Sequence, residues 1–228
     1  ATETTRSPVK VLHPGCHRHI APSLVFSDVT YVDCDHKVGD AFDANNSIIQ
    51  DWMIAHKQYG EHPQIRFVVS TYKEMSHPRH NIHENSYDLL ISLSAGIVTE
   101  DCLLYLRPGG LYLVNAAHAD AYVAFLSPEL KIRAYWNDAT KTFCQDPDLL
   151  KDLFLARSKP PPHKNNNGRK RSREVTDDKN SENDDSGQCF VPLTKDQVAE
   201  AVRIGTKNKR SFVLKLDPMV YVFEKVDV

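Results

Sequence analysis

Thr99-Glu100-Asp101-Cys102-Leu103-Leu104-Tyr105-Leu106-Arg107-Pro108-Gly109-Gly110-Leu111-Tyr112-Leu113-Val114-Asn115 holds a helix start, a helix stop and a strand in one short stretch. Thr99 followed by two acids opens a helix, because carboxylates favour the positive end of the helix dipole. Arg107-Pro108-Gly109-Gly110 closes it after Leu106, since proline cannot continue a helix and glycine readily turns the chain. Leu111–Asn115 then reads as a strand, and so does Tyr87–Leu93 on the other side of the helix. Strand, helix and strand in that order make the unit of a parallel sheet.

The same alternation recurs on both sides of this stretch. Val9–Leu12, Val29–Val32 and Ile65–Val69 are further strand-like runs. Between them, Ser47 with Gln50 makes a capping box, Ile48, Ile49, Trp52, Ala55, His56 and Tyr59 form one apolar stripe, and Gly60 ends the helix. A later helix begins at Thr194, capped by Gln197, and stops at Gly205. Phe212–Leu216 and Met219–Val226 read as closing strands with no helix between them, so the sheet ends antiparallel. The expected architecture is α/β, doubly wound and mostly parallel, with helices on both faces.

Composition bounds the class. Hydrophobic residues at 41% and charged residues at 25% of 228 exclude collagen-like, wholly disordered and membrane-spanning chains. The longest apolar stretch, about 109–117, is far short of the ~20 residues a membrane helix needs, and no charged-then-apolar signal segment opens the sequence. Cys16, Cys34, Cys102, Cys144 and Cys189 are odd in number and contain no CxxC pair, which points to free thiols in cytoplasm or nucleus. A net charge of -2 gives no general attraction to nucleic acid or to an anionic membrane.

Residues 157–188 contain a single aliphatic side chain, Val175, and no aromatic one, with a basic first half around Arg169–Arg173 and an acidic second half from Glu174 to Asp185. Such a segment buries too little surface to fold. It reads as a disordered, self-neutralising insertion within one domain formed by 1–156 and 189–228, and the basic cluster as a solvated loop ahead of a nuclear-import patch.

In an open parallel sheet, ligands bind beyond the carboxyl ends of the strands. The first strand is followed by His13-Pro14-Gly15-Cys16-His17-Arg18-His19 and the second ends in Asp33-Cys34-Asp35. An acid ending the second strand can accept from both hydroxyls of a ribose, while the first loop lets backbone approach a nucleotide.

These residues resemble the class I S-adenosylmethionine-dependent methyltransferases. Val11-Leu12 with Gly15-Cys16 is similar to that superfamily's first motif, Tyr31-Val32-Asp33 to its ribose-binding strand end, and Tyr87-Asp88-Leu89-Leu90-Ile91 to its fourth strand. Leu106–Val114 resembles its turn and fifth strand, and Met219–Lys225 its antiparallel closing strand. The resemblance implies a seven-stranded Rossmann-like sheet. It also implies S-adenosylmethionine as cofactor, held by Gly15, Cys16, His17 and Asp33 together with Thr71, Tyr72 and Leu93 at the third and fourth strand ends.

The chain departs from the superfamily's pattern where His13 replaces an acid and where His17 and His19 replace glycines, each adding a steric body and a titratable ring. Ser92-Leu93-Ser94-Ala95-Gly96 lacks the Asn/Asp-Pro-Pro-aromatic signature of base-amino methyltransferases, so a small molecule or protein is the expected acceptor and nucleic acid is disfavoured.

Methyl transfer from a sulfonium is an in-line displacement that needs an aligned nucleophile and, where that is protonated, a base. Ser94, Asn115, His118 and Asp120 are the polar candidates, with His118 the base because an ordinary imidazole titrates at ~6.5. The alternative role for Asn115 and His118 is to brace a turn, and for Asp120 to cap the next helix. Two other functions stay open. One is a non-catalytic binding scaffold, favoured by the histidine-substituted loop. The other is a metal site built from His13, Cys16, His17, His19, Asp33, Asp35 and His36, whose spacing fits no standard metal motif, with the His77–His83 loop a weaker case.

Overall fold

The computed structural model describes residues 8–44, 46–158, 189–205 and 210–227. In chain order the elements are β1 (Lys10–Pro14), β2 (Asp28–Asp33), α1 (His36–Ala44), α2 (Asn46–His56), β3 (Gln64–Val69), β4 (Tyr87–Ser92), α3 (Thr99–Cys102) and β5 (Leu106–Asn115). They continue with α4 (Asp120–Leu126), β6 (Leu130–Asn137), β7 (Thr142–Cys144), α5 (Pro147–Leu150), β8 (Leu155–Ser158), β9 (Val191–Pro192), α6 (Lys195–Ile204), β10 (Phe212–Leu214) and β11 (Val220–Lys225).

The main sheet has eight strands in the order β3-β2-β1-β4-β5-β11-β6-β7. β3, β2, β1, β4 and β5 are parallel, and β11 lies antiparallel between β5 and β6. The fold is thus a mostly parallel α/β sheet with an antiparallel member, as the alternation of strands and helices predicts. The count exceeds the expected seven because β6 and β7 form a hairpin at the edge. Chain order reverses between β1 and β4, which makes their carboxyl ends the topological switch point.

The closing runs part company. β11 joins the main sheet, but β10 pairs with β8 in a separate three-stranded sheet, β10-β8-β9. Arg157 and Ser158, placed in the insertion by composition, belong to β8, while 159–188 lie outside the described residues. The arms on either side of that segment pair at Leu155↔Pro192 and Ala156↔Val191.

Arg107-Pro108-Gly109-Gly110 lies inside β5 rather than before it. Between Tyr87 and Leu89 of β4, the partner strand advances from Leu106 to Leu111, and the surplus bulges outward with Gly109 at φ +72°. Arg107 Nε donates to Asp88 at 2.6 Å across this bulge. The preceding helix is shorter than its sequence suggests, α3 followed by a 3-10 turn over Leu103–Tyr105, and Thr99 turns its side chain inward to Asp120 instead of capping. α6 keeps its expected capping box, Thr194 with Gln197, and ends on Gly205.

Each face of the sheet has its own core. On one, Leu12, Leu90, Tyr112, Val114, Tyr221 and Phe223 are fully buried with α3, α4 and α6. Burying side chains of this size contributes about 1.5–3 kcal/mol each. On the other, Val11, Val29, Tyr31 and Ile91 form a second buried cluster with Ile20 and Phe26 packed against it, and Phe42 of α1 stacks on Phe67 with centroids 4.5 Å apart. The apolar stripe expected to bury α2 faces outward instead. Ile48, Trp52, Ala55 and His56 are exposed, and Met53, which the stripe omits, is the fully buried residue. The reason is positional: α2 leans chiefly on α1 and on the turn at Ala21–Leu24.

Candidate functional site

Gly15 follows β1 at φ +62°, and its N–H donates to Val32 O at 2.8 Å, folding the loop over the end of β2. This brings His17 N to Asp33 Oδ2 at 2.8 Å, while Asp35 N reaches Asp33 Oδ1 at 2.9 Å. Gly15, Cys16, His17 and Asp33 are therefore one cluster. Each carboxylate oxygen of Asp33 still has a lone pair to offer, because each accepts a single backbone N–H. Cys16 is buried, and burial pushes its thiol up to about 12, so it is a packing group and not a nucleophile.

Above Gly15 the crevice is filled by the protein itself. The Tyr72 hydroxyl donates to the Ala95 carbonyl, joining the loops after β3 and β4. A Cβ on Gly15 would collide with both the Tyr72 hydroxyl and Ala95. Burial raises the Tyr72 phenol above its ordinary range, so it stays protonated as a donor. Thr71 turns away to Glu74 at 3.2 Å, and Leu93 packs half-buried under the sheet end.

His13 at the end of β1 and His19 in the loop after it are joined ring to ring. His13 is 1% exposed, and its Nδ1 lies 3.1 Å from the Ile91 carbonyl, which can only accept. Nδ1 thus carries the proton, and Nε2 accepts from His19 Nδ1 at 3.1 Å. Burial first, then the neighbouring His19, lowers the His13 pKa to about 4. Among the described residues, no group of three or more His, Cys, Asp or Glu is placed to hold a metal ion. In the 77–83 loop, the His80 and Asn81 carbonyls accept instead from Arg66.

The four polar candidates divide. Ser94 and Asn115 meet, with Ser94 N donating to Asn115 Oδ1 at 3.0 Å and Asn115 Nδ2 to Ser94 Oγ at 3.2 Å, so they join the ends of β4 and β5. Ser94 sits at φ +62°. His118 is exposed beyond β5. Asp120 is elsewhere, 1% exposed in the core, and the N-cap of α4 is Ala119. Its carboxylate accepts from Ser92 Oγ at 2.7 Å, Tyr112 OH at 2.5 Å, Thr99 N at 3.0 Å and Thr99 Oγ1 at 2.7 Å. Four donors compensate a buried charge, and they tie β4, α3, β5 and α4 together.

Sequence reasoning missed Ser92, Thr99 and Tyr112 as partners of Asp120. The available signal was Tyr112 itself, a hydroxyl at a core position of an aliphatic strand, which needs a partner when buried. It also missed Arg210, 7% exposed, whose guanidinium donates to Tyr122 OH and to Asp217 at 2.8 Å.

No family model and no curated protein matches the chain. Among solved structures it is similar to an S-adenosylmethionine-dependent methyltransferase from Mesorhizobium loti, at 18% identity and TM-score 0.31 over 62% of this chain and 59% of that one. A methyltransferase from Geobacter sulfurreducens aligns at 14% identity and TM-score 0.36, over 56% and 65%. Spermidine synthase from Thermotoga maritima aligns at 14% and TM-score 0.35, over 56% and 47%. The chain thus spans less than two thirds of the length of each. The fold assignment rests on this chain's own strand order and not on those alignments. Among the described residues no helix is long and apolar enough to cross a membrane.

Proposed function

We propose that the protein binds an S-adenosyl nucleoside at the switch point between β1 and β4 and transfers its methyl group to a small molecule or a protein. One observation carries this reading: at the carboxyl ends of β1 and β2, Gly15 in a left-handed turn and the half-exposed Asp33 are held together through His17 N. That places an acid for ribose hydroxyls beside a loop with no Cβ to keep a ligand away. The residues fit the cofactor once Tyr72 rotates out of the space above Gly15. Gly15, Cys16 and His17 would then hold it through backbone groups, and Asp33 through its free lone pairs. The bound sulfonium supplies the electrophilic methyl. Ser94 and Asn115 would position the acceptor, and His118 would take its proton.

Titration calorimetry with S-adenosylmethionine and S-adenosylhomocysteine tests the reading. Saturable one-to-one heat, lost in a folded Asp33→Ala variant, supports it; no heat at millimolar ligand refutes it.

A second reading, a non-catalytic scaffold of the same fold, is favoured by the Tyr72–Ala95 contact, which closes the crevice. Binding without methyl transfer to any acceptor mixture would select it.

A further inference from the structure

The sheet face that carries α1 and α2 is stepped. Over β3, β2 and β1 it bears helices, α1 against β2 and β3 with α2 beside it. Over β4, β5, β11 and β6 it opens into a trough of ≈ 760 Å³, floored by Leu89, Ile91, Leu113, Val222 and Ala134 and edged by Phe143. Leu111 on this floor is 41% exposed and Phe143 is 46% exposed, although the opposite face of the same strands is fully packed. An apolar sheet face of this extent requires a covering layer.

The chain also carries the complement. Ile48, Asp51, Trp52 and Ala55 fall on one face of α2 at helical spacing, all exposed, with Ile48 at 66% and Trp52 at 44%. α2 has 11 residues and is therefore ~16 Å long. Asp51 lies within this apolar face, and Lys131 lines the trough. Neither has an ion-pair partner among the described residues.

We propose that the protein forms a two-fold dimer in which α2 of each copy lies in the trough of the other. A two-fold axis parallel to the strands, above the junction of β1 and β4, carries the raised half of one face onto the recessed half of its partner. Both contacts form at once, which is the closed, self-complementary geometry of a cyclic dimer. Ile48 and Trp52 supply the apolar anchors, and Asp51 meets Lys131. The strand ends around Gly15 and Asp33 lie outside this surface, so dimerisation stands or falls independently of nucleoside binding.

Sedimentation equilibrium of the full chain tests the arrangement. The expected result is a concentration-dependent dimer that Trp52→Glu and Leu111→Glu each weaken by roughly tenfold or more, because each buries an unpaired carboxylate. Circular dichroism and melting confirm that these exposed substitutions leave the fold intact, with Ile48→Glu as substitute if W52E does not fold. Mixing W52E with L111E restores one sound contact, so the mixture associates more tightly than either variant alone. D51K and K131D each weaken the dimer, and the double exchange D51K/K131D recovers it. A chain that stays monomeric at its highest concentration, or a dimer unmoved by these variants, overturns the proposal.

Discussion

The Tyr72 hydroxyl donates to the Ala95 carbonyl directly over Gly15, so two strand-end loops close the crevice that the topology assigns to a ligand. Occupation of that crevice requires the contact to break, at a cost of about 1 kcal/mol for a net hydrogen bond. Tyr72→Ala removes that cost and should tighten S-adenosylhomocysteine binding about fivefold. Titration calorimetry of the variant against the parent checks this; weaker or unchanged binding would show that the phenol is not an obstacle.

Gly15 has no spare room. Gly15→Ala adds a methyl that meets Tyr72 and Ala95 at a backbone φ of +62°, where a side chain costs about 1–2 kcal/mol before any clash. At about 2–4 °C per kcal/mol for a domain of this size, the melting temperature should fall by at least ~3 °C. A thermal melt checks it.

Asp120 is a structural anchor of the α3–β5–α4 side. Asp120→Ala strands the hydroxyls of Ser92, Thr99 and Tyr112 in the core, each at a cost of about 1–3 kcal/mol. The variant should unfold at much lower denaturant or fail to accumulate, and Asp120→Asn should fall between it and the parent. A folded D120A chain of parental stability would contradict this role.

The depth of His13 sets a pH dependence. Its folded pKa of about 4 lies below the ordinary 6.5, so between those values the unfolded chain binds the proton preferentially. The stability held by the neutral, buried ring is complete above about pH 6.5 and is lost as pH falls toward about 4, by up to ~3 kcal/mol. Urea midpoints at pH 7, 5.5 and 4.5 should decline in the parent, and His13→Gln should flatten part of that decline.

Five parallel strands were legible because each is a short apolar run set off by helix signals. β6 was not: Lys131 and Arg133 alternate with Ile132 and Ala134, and the charges at the rim of an uncovered face obscure the run. β8, β9 and β10 pair across 159–188, a relationship no local pattern encodes. At the site, Gly15, His17 and Asp33 were readable as neighbours because strand ends converge at the switch point. The separation of Asp120 from Asn115 and His118 was not. Two positions of sequence separate the exposed His118 from a core carboxylate, and only the burial of Thr99 and Tyr112 decides which side Asp120 takes. The outward stripe of α2 was misread for a related reason: periodicity identifies an apolar face but not what it faces.

The most direct test of nucleoside binding at the switch point is an amide NMR titration of the isotope-labelled chain with S-adenosylhomocysteine. Binding there gives saturable shifts at Gly15, His17, Asp33 and Ala95, with the trough residues Leu113 and Val222 unmoved. No shifts at millimolar ligand, or shifts confined to the trough, would contradict it.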